Sequence, residues 1–131
     1  MTAYFSQPPH TIVQFDIVRD ADWNDALPPL KTGGAAMDLT GMALEMHIRP
    51  TDDHSVLLAR LVSEGAGGII IDDAANGLAT IYVERPDVID LFPVGEWQQF
   101  MLLREPTGDQ DGFAYREIWR GPLIVHAGKI D

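Results

Sequence analysis

Alternating apolar and polar positions run through most of this chain, and they predict strands. Between Thr11 and Arg19, Val13, Phe15 and Ile17 form an apolar row, while Ile12, Gln14, Asp16 and Val18 fall on the other face. Met42 to Arg49 is the clearest case, with Leu44, Met46 and Ile48 pointing one way and Glu45, His47 and Arg49 the other. Leu78 to Glu84 sets Ala79, Ile81 and Val83 against Thr80 and Tyr82. Gly68 to Asp72 reads as a short apolar strand, and Trp97 to Arg104 and Phe113 to Arg120 as two long ones. Pro122 to Ala127 is a last strand, with a kink or bulge at Gly121-Pro122. In Ser55 to Ser63, Leu57, Leu58, Leu61 and Val62 fit a helix face as well as a strand. Its length and flanking turns assign it to a strand.

Turn chemistry separates these runs. Asp38-Leu39-Thr40-Gly41, Pro50 to His54, Gly65 to Gly68 and Asn76-Gly77 are turns, and Glu105 to Gly112 is a loop. Asp20 to Ala36, rich in Asp, Asn, Pro and Gly, predicts a long loop with a short edge strand near Trp23. Pro86 to Phe92 is the one helical segment, with Pro86 in the first turn and Val88, Ile89, Leu91 and Phe92 clustered on one side. Residues 1–9 carry two aromatics and end in Pro8-Pro9, with no periodic pattern, and read as an N-terminal arm. Residues 10–131 then form a single domain. Many short strands and almost no helix predict an all-β fold: an antiparallel β-sandwich, Ig-like or jelly-roll-like, with one short helical turn. A β-barrel is the alternative.

Composition sharpens this picture by exclusion. A chain of 131 residues with 46% hydrophobic and 22% charged residues supports one folded core. Its 20 acids against 9 Lys and Arg give a formal charge of −11, which argues against nucleic acid and anionic membranes as partners. No cysteine is present, so disulfides, thiolate catalysis and cysteine zinc sites are excluded. The start Met1-Thr2-Ala3-Tyr4-Phe5 lacks the basic and apolar regions of a signal peptide, and the expectation is a protein made in the cytoplasm.

Candidate chemistry is sparse. Asp20, Asp22 and Asn24 alternate as the start of a calcium loop does, but Asp25 stands where such a loop needs Gly, and Lys31 where it needs Glu. His10, His47, His54 and His126 lack close ligand partners and read as solvated or hydrogen-bonded imidazoles. Ser6, Ser55 and Ser63 have no nucleophile context, and no glycine run matches a phosphate or dinucleotide loop. Neither catalytic residues nor a metal or cofactor site is assigned. Trp97 and Trp119 read as core or rim packing, and Trp23, in an acidic loop, as an exposed contact residue. The segments without core pattern give the protein-contact candidates: Tyr4, Phe5, Pro8 and Pro9 in the arm, and Trp23, Leu27 and Leu30 in the first long loop.

The order of these features resembles a known family. An opening strand ends in an acidic turn, Phe15 to Trp23; a DLTG step, Asp38 to Gly41, precedes the strand ending Ile48-Arg49-Pro50. Asn76-Gly77 opens the next strand, Pro86 to Phe92 runs into Pro93-Val94-Gly95-Glu96-Trp97, and Tyr115 to Arg120 leads to Gly121-Pro122-Leu123-Ile124-Val125. This series, from about Thr11 to Gly128, is similar to the β-sandwich proteins of tailed-phage tails and baseplates, including the N-terminal domain of the lactococcal upper baseplate protein. The resemblance implies a non-enzymatic virion part of a phage or prophage, from the tail, baseplate or head–tail region. It implies other virion proteins and copies of itself as partners, and no functional residues. Two other classes compete: a carbohydrate-binding module, which needs adjacent exposed aromatics, and a small acidic hydrolase, which needs two carboxylates on one cleft.

Overall fold

The computed structural model describes residues 11–32, 34–106 and 113–128. Thr11–Ile12 (β1), Phe15–Val18 (β2), Trp23–Ala26 (β3), Lys31–Thr32 (β4), Ala35–Ala36 (β5), Ala43–Pro50 (β6), Ala59–Val62 (β7), Ile69–Asp73 (β8) and Leu78–Val83 (β9) come first. The helix Arg85–Leu91 (α1), Gly95–Pro106 (β10) and Phe113–His126 (β11) follow. The fold is all-β, with two main sheets. One has the order β1-β11-β10-β6-β7, with β2 also paired to β11; the other is β3-β9-β8, and β4 and β5 form a small separate hairpin. A bridge between Val62 and Gly68 links β7 towards β8, so the strands run from β2 round to β3.

Both sheets turn their apolar sides to one core. Leu44, Met46 and Ile48 of β6, Ile81 of β9, Met101 and Leu103 of β10, and Leu123 and Val125 of β11 meet there. Burying each of the larger side chains is worth about 1.5–3 kcal/mol, which makes this core the main source of stability. The alternation read from β2 and β9 is present as expected, because each buries one face only, whereas β6 is buried on both faces over Ala43 to Met46.

Several elements depart from the sequence expectation. Thr11 to Arg19 is in one register throughout, with Thr11 opposite Trp119 and Phe15 opposite Leu123, but its ladder is interrupted at Val13-Gln14. The interruption lies opposite Gly121-Pro122, where Pro122 has no N–H to donate. The pairing is parallel, an exception to the expected antiparallel order. Gly121-Pro122 does not divide the last segment: β11 is one strand, and its bulge falls at Ile118, between the pairs Met101–Trp119 and Leu102–Glu117. Only Ala59 to Val62 of the segment from Ser55 to Ser63 is a strand.

The helix Arg85–Leu91 buries Val88 and, just beyond it, Phe92, one helical turn apart, whereas Leu91 is exposed. The loop from Asp20 to Ala36 holds three short strands rather than one. It is tied to the start of β9, where the Leu30 amide donates to the Gly77 carbonyl at 3.0 Å and the Leu27 amide to that of Ala79 at 2.9 Å. Gly77 has φ +69, and a Cβ there would lie 2.6 Å from the Leu30 carbonyl oxygen, so only glycine fits.

That tether moves the loop's apolar residues inward. Trp23, Leu27 and Leu30 are 2%, 5% and 2% exposed, so the expectation that they are surface contact residues is corrected: they are core. Trp23 packs edge-on against Phe15 and Phe92, with ring centroids 5.7 and 5.6 Å away. The other contact candidates, Tyr4, Phe5, Pro8 and Pro9, lie outside the described residues.

Candidate functional site: the outer face of the large sheet

On β6 the side chains opposite the core, Glu45, His47 and Arg49, face outward together with Arg60 of β7, Phe100 and Arg104 of β10, and Tyr115, Glu117 and Arg120 of β11. At the centre of one half is Glu45. It lies on the outer face and yet is only 2% exposed, because long neighbours close over it. Its Oε1 is 3.2 Å from His47 Nε2 and 3.7 Å from Arg60 Nη1. Its Oε2 accepts a hydrogen bond from the Tyr115 hydroxyl at 3.2 Å and lies 3.7 Å from Arg104 Nη1. Each oxygen therefore has two partners, and the residues come from four strands. A His–Glu pair is a motif of general-base chemistry. Here the carboxylate is instead a hub that locks β6, β7, β10 and β11 in place.

The second half surrounds Phe100. The Arg120 guanidinium lies over its ring, 5.1 Å from the centroid, and the His54 ring meets it edge-on at 5.2 Å. Arg120 also makes a two-pronged pair with Glu117, both contacts at 2.8 Å, which raises its pKa above the ordinary guanidinium value. Arg104 is raised likewise, chiefly by its hydrogen bond to Glu64. A shallow depression of about 360 Å³ opens here between His47, Arg49, His54, Phe100 and Arg120.

Two cations on this face are held only loosely by the described residues. Arg49 donates to the His54 carbonyl at 3.0 Å, and Arg60, 55% exposed in its side chain, comes no nearer than 3.7 Å to Glu45. Around Glu45 and Phe100 the face gathers Arg49, Arg60, Arg104 and Arg120 beside Glu45, Glu64 and Glu117, while Asp16 and Glu96 lie further along it, so the arginines form a local cluster in a chain of formal charge −11.

The acidic turn of the calcium-like pattern has other tasks. Asp22 Oδ1 accepts the Arg85 amide at 2.7 Å and so caps α1, and the Asp20 carbonyl accepts Arg85 Nε at 2.9 Å. Asp25 accepts the indole N–H of Trp23 at 2.9 Å. Among the described residues no three metal-type side chains converge. His47 and His126 are hydrogen-bonded imidazoles, the latter to Asp16 at 3.1 Å; His10 lies outside the described residues. Trp97 is half-buried and donates to the Pro93 carbonyl, while Trp119 sits inside β11 and is 2% exposed. With Trp23 and Trp119 both in the core, the tryptophans do not form the exposed platform that sugar binding needs.

One residue central to this arrangement escaped the sequence reading, Glu45. Glu45 stood where a solvated face was expected, and its partners come from strands up to 70 residues away. The only local hint was His47 and Arg49 at the next two outward positions. No family model matches this chain, and no curated protein matches it.

Proposed function

We propose that the protein is a non-enzymatic assembly module that docks on copies of itself and on neighbouring proteins. In its particular form it is a structural part of a phage or prophage virion, from the tail, baseplate or head–tail region. The observation that carries the reading is the cluster of four arginines on the outer sheet face of an acidic chain. Arg104 and Arg120 are held in place by Glu45, Glu64, Glu117 and Phe100, so for these two little side-chain order remains to be gained on binding. Arg49 and Arg60 stand ready for carboxylates of a partner, and the acidic remainder of a second copy supplies them. The virion setting is supported by the order of motifs from Thr11 to Gly128. In this reading the two sheets are the layers of an antiparallel sandwich. Among the described residues no helix is long and apolar enough to cross a membrane.

Replacing Arg49 and Arg60 together by Ser tests the role of the face. Self-association, read by sedimentation, should weaken about ten-fold if the two cations each contribute roughly 0.7 kcal/mol. Unchanged association with an unchanged circular dichroism spectrum would sink the proposed docking face.

A further inference from the structure

We propose that the seam between β2 and β3 accepts residues 1–7 of a second copy of this chain as an added strand. The inference rests on the assembly reading and names its partner. β2 and β3 are the two ends of the strand order, and among the described residues no ladder joins them. A groove of about 450 Å³ runs between them, lined by Val13, Phe15, Asp25 and Leu27 on the core side and by Gln14, Asp16 and Ala26 at its rims.

Both rims present backbone groups that no ladder of the described residues uses. The amides of Val13 and Arg19 donate to the carbonyls of Arg120 and His126, which sets the odd residues of β2 towards β11. Alternation then turns the N–H and C=O of Gln14 and Asp16 towards the seam. On β3 the Leu27 amide donates to Ala79, so Asn24 and Ala26 turn their groups away from β9 and towards the same seam. Two facing edges of this kind are a template for one inserted strand.

The occupant follows from the sequence ahead of β1. Taken alone, residues 1–7 are too short to define an element. Matched to a two-sided slot they sort into Met1, Ala3 and Phe5 on one side and Thr2, Tyr4 and Ser6 on the other. The first set suits the apolar floor, and the hydroxyl set suits solvent. None of the seven carries a charged side chain to meet Asp16 or Asp25. At about 3.3 Å per residue the segment is long enough to span the paired edges. Pro8-Pro9 selects the copy. To lie beside its own β2 the arm would have to reverse within residues 8–10, and Gln7 and Pro8, each preceding a proline, favour extended backbone.

The absence of native cysteine makes the test direct. Full-length chains with Thr2→Cys, Tyr4→Cys or Ser6→Cys are each mixed with an Ala26→Cys chain and oxidised. Leu78→Cys, on an exposed site away from the seam, serves as the control partner. The expected result is a mixed disulfide dimer about ten-fold above the control for at least one arm position, because pre-association raises the local thiol concentration. Deleting residues 1–7 should weaken self-association. Mixed dimers no more abundant than the control, or an internal disulfide in a monomeric Tyr4→Cys/Ala26→Cys chain, would overturn the proposal. Self-association unchanged by the deletion would overturn the strand exchange but leave the assembly reading standing. A full-length chain that stays monomeric at every concentration would remove both.

Discussion

At Gln99 a side-chain amide stands in for a backbone donor. Val13 lies opposite Gly121, and its carbonyl is placed to accept from the next residue of β11, which is Pro122 and has no N–H. Gln99, fully buried on β10 beside Gly121, donates its Nε2 to that carbonyl at 2.7 Å and accepts the Trp119 indole N–H on its Oε1 at 3.0 Å. One amide thus satisfies two buried groups. Gln99→Leu keeps the volume but strands both, and should cost about 2–4 kcal/mol in a denaturant titration; a loss well under about 1 kcal/mol would contradict this role. Asp16 gives a second test at this scale. Its carboxyl is held below the ordinary aspartate value of 3.8, first by the hydrogen bond from His126 and then by Gln14. A depressed carboxylate contributes stability that is complete above its unfolded pKa and is lost as pH falls through the lower folded value. The contact therefore weakens only below about pH 3.8, and in His126→Ala the Asp16 titration followed by NMR should move up towards that value.

At the scale of elements, Gly121 shows what the close approach of β1 and β2 requires. A Cβ there would overlap the Val13 carbonyl oxygen and lie 2.8 Å from its carbon, so Gly121→Ala must push the edge strand away from β11. The expected loss is about 2–3 kcal/mol, with faster amide exchange along Val13 to Val18 than in β6. Exchange that rises equally everywhere would speak against a local effect. This element also shows how far the sequence could be read. The row Val13, Phe15, Ile17 was legible because the strand buries one face only. The missing ladder bonds were not, because they depend on a proline more than 100 residues away. The loop after it was misread for a local reason. Trp23, Asp25 and Leu27 share an inward side, but Asp25 breaks the apolar alternation while capping the Trp23 indole. Leu30 has no period at all, and its burial comes from the tether to Gly77. Glu45 was hidden in the same way, since a buried acid and a solvated one look alike until the cross-strand arginines are in place.

For the whole molecule, the distribution of charge matters more than its total. A formal −11 by itself means mutual repulsion and solubility. The same charge arranged with an arginine cluster on the outer sheet face and acids around it favours association of one copy's cluster with another's flank. Such head-to-tail contacts close into rings or extend, as multi-copy parts of a particle require. The attraction is screened by salt, with a Debye length of about 10 Å at 0.1 M and 3 Å at 1 M. The most direct measurement is sedimentation equilibrium of the full-length chain over a wide concentration range at low and high salt. The expected result is a mass above that of the monomer that grows with concentration and falls back towards the monomer at high salt. A monomer at every concentration and both salts would contradict it.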